Sequence, residues 1–372
     1  MLTVSKVQPD FFPVSDNLFQ TYFWGQLKEA FGQKALYLRV EFENDEGLTV
    51  AYPFLVLLRK INGKYIYAYV QSAPSESVIV SDKTGFLEEL SLALKDHLPD
   101  SIIFIRYDLQ WINPEPHART EMLEIMMNYG TQLHNFKKAP SDHFCKSTCI
   151  LNLRPIPEML LKNMRQQTRN SVRRAYRESV EFSIYDAESP DIFLRLREMY
   201  DIYKDTAGRK GFYCEGYSYF EKLFSLNREF LKEKEVRNYD SGIVPLDAQV
   251  PPPRFYLFTA QKEGVLLSGL ILGICGANAY YMYAASSMDM RHCMPNYGLQ
   301  WEVIRFARSK GCTRYDFMGI PPVNDSASSM SGLYIFKTGF GGNVTHYMGT
   351  WDFPLKQEEY EAFKVNESLL LK

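Results

Sequence analysis

The feature that most restricts the fold of this chain is an order of elements that occurs twice. Residues 35–43 (ALYLRVEFE) read as a strand, 48–59 as a longer strand and 65–71 (YIYAYVQ) as a third, with a turn at NDEG and a hairpin signal at Asn62-Gly63. A segment of helical period at about 85–97 and an apolar strand at 102–108 (IIFIRYD) complete the first series. In the second half, strands at 254–261, 265–275 and 279–287 are separated by the turns KEG and GAN, and a helix at about 297–310 leads to a strand at 313–319 (TRYDFMG). Each series closes on Arg-Tyr-Asp: Arg106-Tyr107-Asp108, then Arg314-Tyr315-Asp316. Three matching residues carry little weight alone. The shared order of elements makes this an internal repeat on the scale of a domain.

A chain of 372 residues is too long for one ordinary core, so the length agrees with two domains. A β-meander followed by a helix and a further strand is the central plan of GNAT-type acyltransferase folds. The expected class is therefore α/β (α+β): two tandem GNAT-like domains with a cleft between or along them. The boundary falls where turn residues gather, at about 140–155, giving a first domain over 1–147 and a second over 148–346. Residues 232–253, polar and then proline-rich, read as an inserted surface loop.

Hydrophobic residues make up 46% of the chain and charged residues 23%, the balance of a soluble globular protein. The formal net charge is −2, so a nucleic-acid partner must be met by a local patch and not by the field of the whole protein. Neither a run of eighteen apolar residues nor a basic-then-apolar start is present, which places the chain in the cytoplasm. The six cysteines lack a C-x-x-C pair and read as buried or free thiols. His143, Cys145 and Cys149 are close in sequence, but no second ligand pair lies nearby, and no metal is expected.

The local patch is a ladder. Arg165, Arg169, Arg173 and Arg177 fall four apart, with Arg174 beside them, on a helix read over 160–177 whose buried stripe is Leu161, Met164, Thr168, Val172 and Ala175. Like charges at this spacing cost about 0.2–0.5 kcal/mol per pair. The ladder is either a solvated face balanced by carboxylates from elsewhere or a surface for phosphates such as an RNA backbone. A second motif is GLYIFKTGFGGNVTHY, 332–347, where Phe336-Lys337 precedes Gly339, Gly341 and Gly342. It reads as a tight hairpin, or as a turn that sets a lysine against developing negative charge. The spacing is not that of a P-loop.

GNAT enzymes hold the pyrophosphate of coenzyme A on backbone N–H groups of Q/R-x-x-G-x-G/A at a helix start. The corresponding stretch, RHCMPNYGLQWEV at 291–303, has Gly298 but not the paired spacing, and the first half lacks it too. The acyl donor is then something other than a CoA thioester, and the arginine helix suggests an acyl group delivered on RNA.

The stretches NMRQQTRNSVRRAYRESVEF, NYGLQWEVIRFARSKGCTRYDFMGI, GLYIFKTGFGG and LFQTYFWGQLKEAFG together resemble the FemABX family of non-ribosomal peptidyltransferases, over nearly the whole chain. Without a heptad-rich segment, the chain looks like the FemX-like type that lacks a coiled-coil arm. The resemblance implies an aminoacyltransferase that moves an amino acid from aminoacyl-tRNA to the side-chain amine of a peptidoglycan stem peptide, on UDP-MurNAc-pentapeptide or a lipid-linked precursor. It implies that residues 347–372 return to complete the first domain, and that no cofactor takes part. Lys28, four residues after Trp24, and Arg209 match the pair that clamps acceptor phosphates. Phe336 and Lys337 match the Phe-Lys pair at the reaction centre, and Asp108 a carboxylate near the acceptor peptide. Tyr283 and Tyr315 are candidate cleft residues. The rival readings are a GNAT-type N-acyltransferase with an acyl-CoA donor and a non-catalytic protein that binds tRNA or cell-wall precursor.

Overall fold

Alternating apolar side chains at 34–70 fold into a meander because a pleated strand sends successive residues to opposite faces. The computed structural model describes residues 2–8, 12–61, 64–76, 81–211, 213–240, 251–321 and 330–370. The chain divides into two units, Met1–Lys146 with His346–Lys372, and Ser147–Thr345.

In the first unit, strands β1 (Thr3–Lys6), β2 (Lys34–Glu43), β3 (Thr49–Ile61) and β4 (Lys64–Val70) pair antiparallel in turn. Helix α1 (Tyr22–Glu29) lies between β1 and β2 in the chain and is capped by Thr21, which accepts from the N–H of Trp24. Helix α2 (Lys83–Lys95), capped by Asp82, carries the chain across to β5 (Phe104–Ile112), parallel to β4. Helix α3 (Thr120–Asn128) and the short β6 (Lys137–Lys138) follow. Leu38, Val40, Val56, Leu58, Val70, Leu87, Leu90 and Tyr107 form the core beneath α2.

The second unit begins with β7 (Ser147–Asn152), helices α4 (Pro157–Asn163) and α5 (Gln166–Arg177), and β8 (Glu181–Asp186). Helices α6 (Ile192–Lys210) and α7 (Tyr217–Asp240) precede the meander of β9 (Arg254–Lys262), β10 (Val265–Cys275) and β11 (Asn278–Ser286). Helix α8 (Pro295–Ser309) crosses to β12 (Arg314–Gly319), parallel to β11, and β7 closes the sheet antiparallel to β12. Helices α5 and α8 cover Phe258, Leu270, Leu272, Tyr315 and Phe317 on one face. The other face takes α6: a side chain at Gly269 would lie 2.5 Å from Cγ of Met199. Helix α9 (Ser331–Gly339) ends the unit. The chain then runs through β13 (Asn343–Pro354), antiparallel to β5, into α10 (Gln357–Leu370).

Both sheets therefore have one plan: four meandering strands, a fifth joined parallel through a helix, and a sixth antiparallel beside it. The fold class is α/β with two GNAT-like units. Four local readings change. The arginine helix is two helices, broken at Met164–Arg165, where the backbone is extended. The glycine-rich stretch is the end of α9 and a turn into β13, not a hairpin. Helix α7 continues through Asp240, where the sequence reads a loop, and residues 241–250 lie outside the described residues, as does Asn62-Gly63. The edge strands β1 and β8 add to the expected set. Among the described residues, no helix is long and apolar enough to cross a membrane.

Candidate functional site

The site is built where two parallel strands part. β11 and β12 pair from Asn278–Tyr280 opposite Arg314–Asp316, and the pairing stops there. On the other side of β12 the register with β7 shifts between Asp316 and Gly319, and Met318 takes a left-handed φ of 56°. This is a β-bulge, a device that re-aims main-chain groups. Asp316, 1% exposed, holds it. Its carboxylate accepts from the N–H of Met318 at 2.8 Å, from Nη2 of Arg314 at 3.0 Å and from the hydroxyl of Thr148. The bulge turns the carbonyls of Phe317 and Gly319 toward one point. There Nζ of Lys337 donates to both, at 2.6 and 2.9 Å, and sits 4.8 Å from the centroid of the Tyr281 ring. Lys337 is 4% exposed, and an ammonium so placed is tolerable because acceptors surround it.

The neighbours of Lys337 explain the glycines. Phe336 packs edge-on against Tyr297 and Phe340, with centroids 5.0 and 5.3 Å away. A Cβ on Gly339 would lie 2.2 Å from Oγ1 of Thr168 in α5, and Gly341 has a φ of 91°. The N–H of Arg165 donates to the carbonyl of Gly339 at 2.9 Å. The glycines thus let the end of α9 lie against α4 and α5. The thiol of Cys149 faces the carbonyl of Lys337 at 3.7 Å, and burial pushes its pKa up to about 12, which keeps it neutral.

Arg209 ends α6 and is exposed. Its Nη2 donates to the carbonyl of Ser286 at 2.6 Å and to the hydroxyl of Thr206 at 3.2 Å. Ser286 lies five residues beyond Tyr281 on β11, about 17 Å at strand rise, so one strand carries the Arg209 contact and the Lys337 contact at two heights. Tyr283 bonds the hydroxyl of Tyr219 at 3.2 Å and packs edge-on against Phe220. Tyr315 is wholly buried beneath α8, where its hydroxyl accepts from Nε2 of Gln300 at 2.6 Å. It is a core residue, with no surface to offer a cleft.

The arginine ladder divides. Arg169 turns back and donates from Nη1 to the carbonyls of Lys162 at 2.9 Å and Met164 at 3.2 Å, satisfying the open end of α4. Arg174 stands 3.7 Å from Glu178. Arg165, Arg173 and Arg177 are exposed. Gly298 in α8 meets protein: a Cβ there would lie 2.4 Å from the Phe182 ring and 2.6 Å from Cβ of Ala175. That glycine serves the α5–α8 contact and not a pyrophosphate. Glu178, His292 and Cys293 bring three potential metal ligands within 4.8 Å of one another. The ammonium of Lys262 stands 3.6 Å from the carboxylate and 3.7 Å from the thiol and already supplies the cation.

In the first unit, Nζ of Lys28 lies 4.4 Å from the centroid of Trp24, whose indole N–H donates to Gln71 at 3.0 Å. Asp108 is 2% exposed and accepts from the hydroxyls of Tyr69 and Thr350; burial raises its pKa. Arg106 is wholly buried. Its Nε and Nη2 each donate to Asp352 at 2.7 Å, while Nη1 and Nη2 reach Glu367 at 2.6 and 2.8 Å. Sequence reasoning singled out Lys337 and Phe336 but passed over Tyr281, Thr148 and Asp316. The repeated triplet marked Asp316; nothing in the sequence marked Tyr281.

A family model described as the FemAB family matches residues 12–231 and 255–368, passing over the stretch between them. The lipid II:glycine glycyltransferase of Staphylococcus epidermidis is 26% identical over 281 residues, 64% of this chain and 66% of that protein. Its counterpart in Staphylococcus aureus is 24% identical over 291 residues, 66% of this chain and 68% of that protein. The match thus spans just under two thirds of the Staphylococcus epidermidis protein. Among solved structures, the crystal structure of FemX shares the fold with a TM-score of 0.70 at 18% identity, over 97% of this chain and 99% of that one.

Proposed function

Because the chain belongs to the FemAB family, we propose that it is an aminoacyltransferase that takes an amino acid from aminoacyl-tRNA. The acceptor is the side-chain amine of a peptidoglycan stem peptide, on UDP-MurNAc-pentapeptide or a lipid-linked precursor, and the product is an interpeptide bridge or branch. The staphylococcal relatives are named for glycine and lipid II, which makes these the first donor and acceptor to try. The observation that carries the reading is the ammonium of Lys337, held by two carbonyls where β11 and β12 part.

The reaction is aminolysis of an ester. The acceptor amine, neutral at the moment of attack, adds to the aminoacyl carbonyl. The tetrahedral oxyanion collapses, the C–O bond to the tRNA ribose breaks, and the amine proton ends on the departing ribose oxygen. An ester is already activated, so catalysis rests on orienting two large substrates and stabilising the oxyanion. Lys337 supplies that cation, and the bulge held by Asp316 fixes where it stands. Tyr281 sets a ring beside the ammonium, and Phe336 packs the end of α9 against Tyr297 and Phe340. Lys28 and Arg209 bind acceptor phosphates, and the exposed Arg165, Arg173 and Arg177 meet the tRNA backbone. Asp108 supports Tyr69 and Thr350, since both its oxygens already accept hydrogen bonds.

The test is incubation with a pool of charged tRNAs and either UDP-MurNAc-pentapeptide or lipid II, followed by mass spectrometry of the acceptor. An increment of one amino-acid residue, dependent on charged tRNA, is expected, and its mass names the donor. An acceptor unchanged by every charged tRNA but modified with acetyl-CoA would instead establish the GNAT-type reading.

A further inference from the structure

Arg59 on β3 has its guanidinium carbon 4.8 Å from the centroid of the Tyr69 ring. The residue is half-buried. Its Nε is closed to water and has no acceptor in hydrogen-bond reach among the described residues. It joins none of the ion pairs among those residues. This is unusual company for an arginine. On the same sheet, Arg106 engages two carboxylates and faces Nε2 of His143 at 3.0 Å. Buried donors in folded proteins are nearly always satisfied, so the unmet Nε marks a guanidinium whose donors the described residues do not fill.

The platform under Arg59 is fixed. Tyr69 is 3% exposed, and its hydroxyl donates to Asp108, which also accepts from Thr350 on β13. A ring tied in this way gives the guanidinium above it a fixed support, a pre-organisation that suits N–H donors meeting two oxygens. The face is also one that α1 shares. Glu29, next to Lys28, takes the N–H of Ala35 at 3.4 Å, and Ala35 pairs with Leu57, two residues before Arg59.

We infer that Arg59, set over the ring of Tyr69, is a binding site for an oxyanion, a phosphate or a carboxylate, whose oxygens take the N–H groups of its Nη atoms. Resting on the proposed function, the natural ligand is the acceptor, which offers a diphosphate and a peptide carboxylate.

Calorimetric titration tests this without turnover, using two probes: inorganic pyrophosphate, and an acetylated dipeptide with a free carboxylate. One of them is expected to bind the wild-type protein, which names the source, and Arg59→Ala is expected to weaken it about tenfold to a hundredfold. Arg59→Lys should fall between, because a point charge replaces the fork. Tyr69→Phe keeps the ring face but cuts its tie to Asp108, and should weaken binding about threefold to fivefold, less than Arg59→Ala. No binding of either probe to wild type, or equal binding to wild type and Arg59→Ala with both folded by circular dichroism, overturns the inference. The two proposals fail separately. Transfer that proceeds with an acceptor Kd unmoved by Arg59→Ala sinks the site alone. Probe binding lost in Arg59→Ala, with no transfer from any charged tRNA, sinks the reaction alone.

Discussion

The two Arg-Tyr-Asp strands share a sequence and a position, and they end in different chemistry. In both units the tyrosine points under the crossing helix: Tyr107 meets Ser91 of α2 at 2.9 Å, and Tyr315 meets Gln300 of α8. In both, the aspartate accepts from a threonine on the neighbouring antiparallel strand, Thr350 or Thr148. The arginines part company. Arg106 is sealed among Asp352, Glu367 and His143, with α10 contributing Glu367 and Tyr360. The side chain of Arg314 is 30% exposed and reaches back to Asp316 of its own strand. One copy of the triplet anchors a covering helix; the other braces a bulge that aims two carbonyls at Lys337. A repeated motif thus preserves the packing role of its middle residue while its outer residues take on new work.

The largest expected effect separates the arginines. Arg106→Met strands buried carboxylates and should cost about 3–5 kcal/mol, read by urea denaturation. Similar losses for Arg106→Met and Arg314→Met would break the contrast. Next comes acid. The carboxyl of Glu367 is raised by burial, but Arg106 and His143 outweigh this and hold it at about 2, against an ordinary 4.5. A depressed carboxyl contributes stability that is present above the unfolded value and lost as pH falls from 4.5 toward 2. Asp352 and Asp108, raised by burial, act with the opposite sign, so the reading is the difference between wild type and Glu367→Gln. That difference should shrink across this window; a constant difference would remove Glu367 from the anchor.

Smaller effects probe the second unit. Gly339→Ala drives a methyl into Thr168 and should cost about 1–3 kcal/mol, whereas a Cβ on Gly208 in α6 meets nothing within 4 Å. Gly208→Ala should therefore gain about 0.5–1 kcal/mol. Thermal denaturation of the pair shows whether close packing at the end of α9 is specific to that turn. Arg314→Met should cost about 1–2 kcal/mol, less than Arg106→Met, because the buried Asp316 keeps the hydroxyl of Thr148 and the N–H of Met318.

The order of elements was legible because period and turn chemistry are local, and the strands at 34–43 and 254–262 fall within a residue or so of their expected limits. The edge strands were not, since TVSK is four residues long and mostly exposed, and EFSIYD is only six residues long and follows directly on the arginine helix. Spacing put Arg169 in a ladder, but the break at Met164–Arg165 decides whether an arginine faces solvent or caps carbonyls, and no pattern in the sequence forecasts it. The glycines after Lys337 promised backbone freedom; their contacts with Thr168 and Asn163 come from segments more than 160 residues away in the chain. Asp108 and Lys337 were singled out as side chains. That Asp108 is occupied by two hydroxyls, and Lys337 by two carbonyls, depends on strand register, which forms only when the sheet does.

The most direct test is the single-turnover transfer rate of Lys337→Met, with charged tRNA bound and acceptor saturating. A loss of about 10²–10³ in rate, with the affinities for tRNA and acceptor unchanged, is predicted for an oxyanion-stabilising cation. A rate near wild type would show that the ammonium between β11 and β12 braces the fold and takes no part in the transfer.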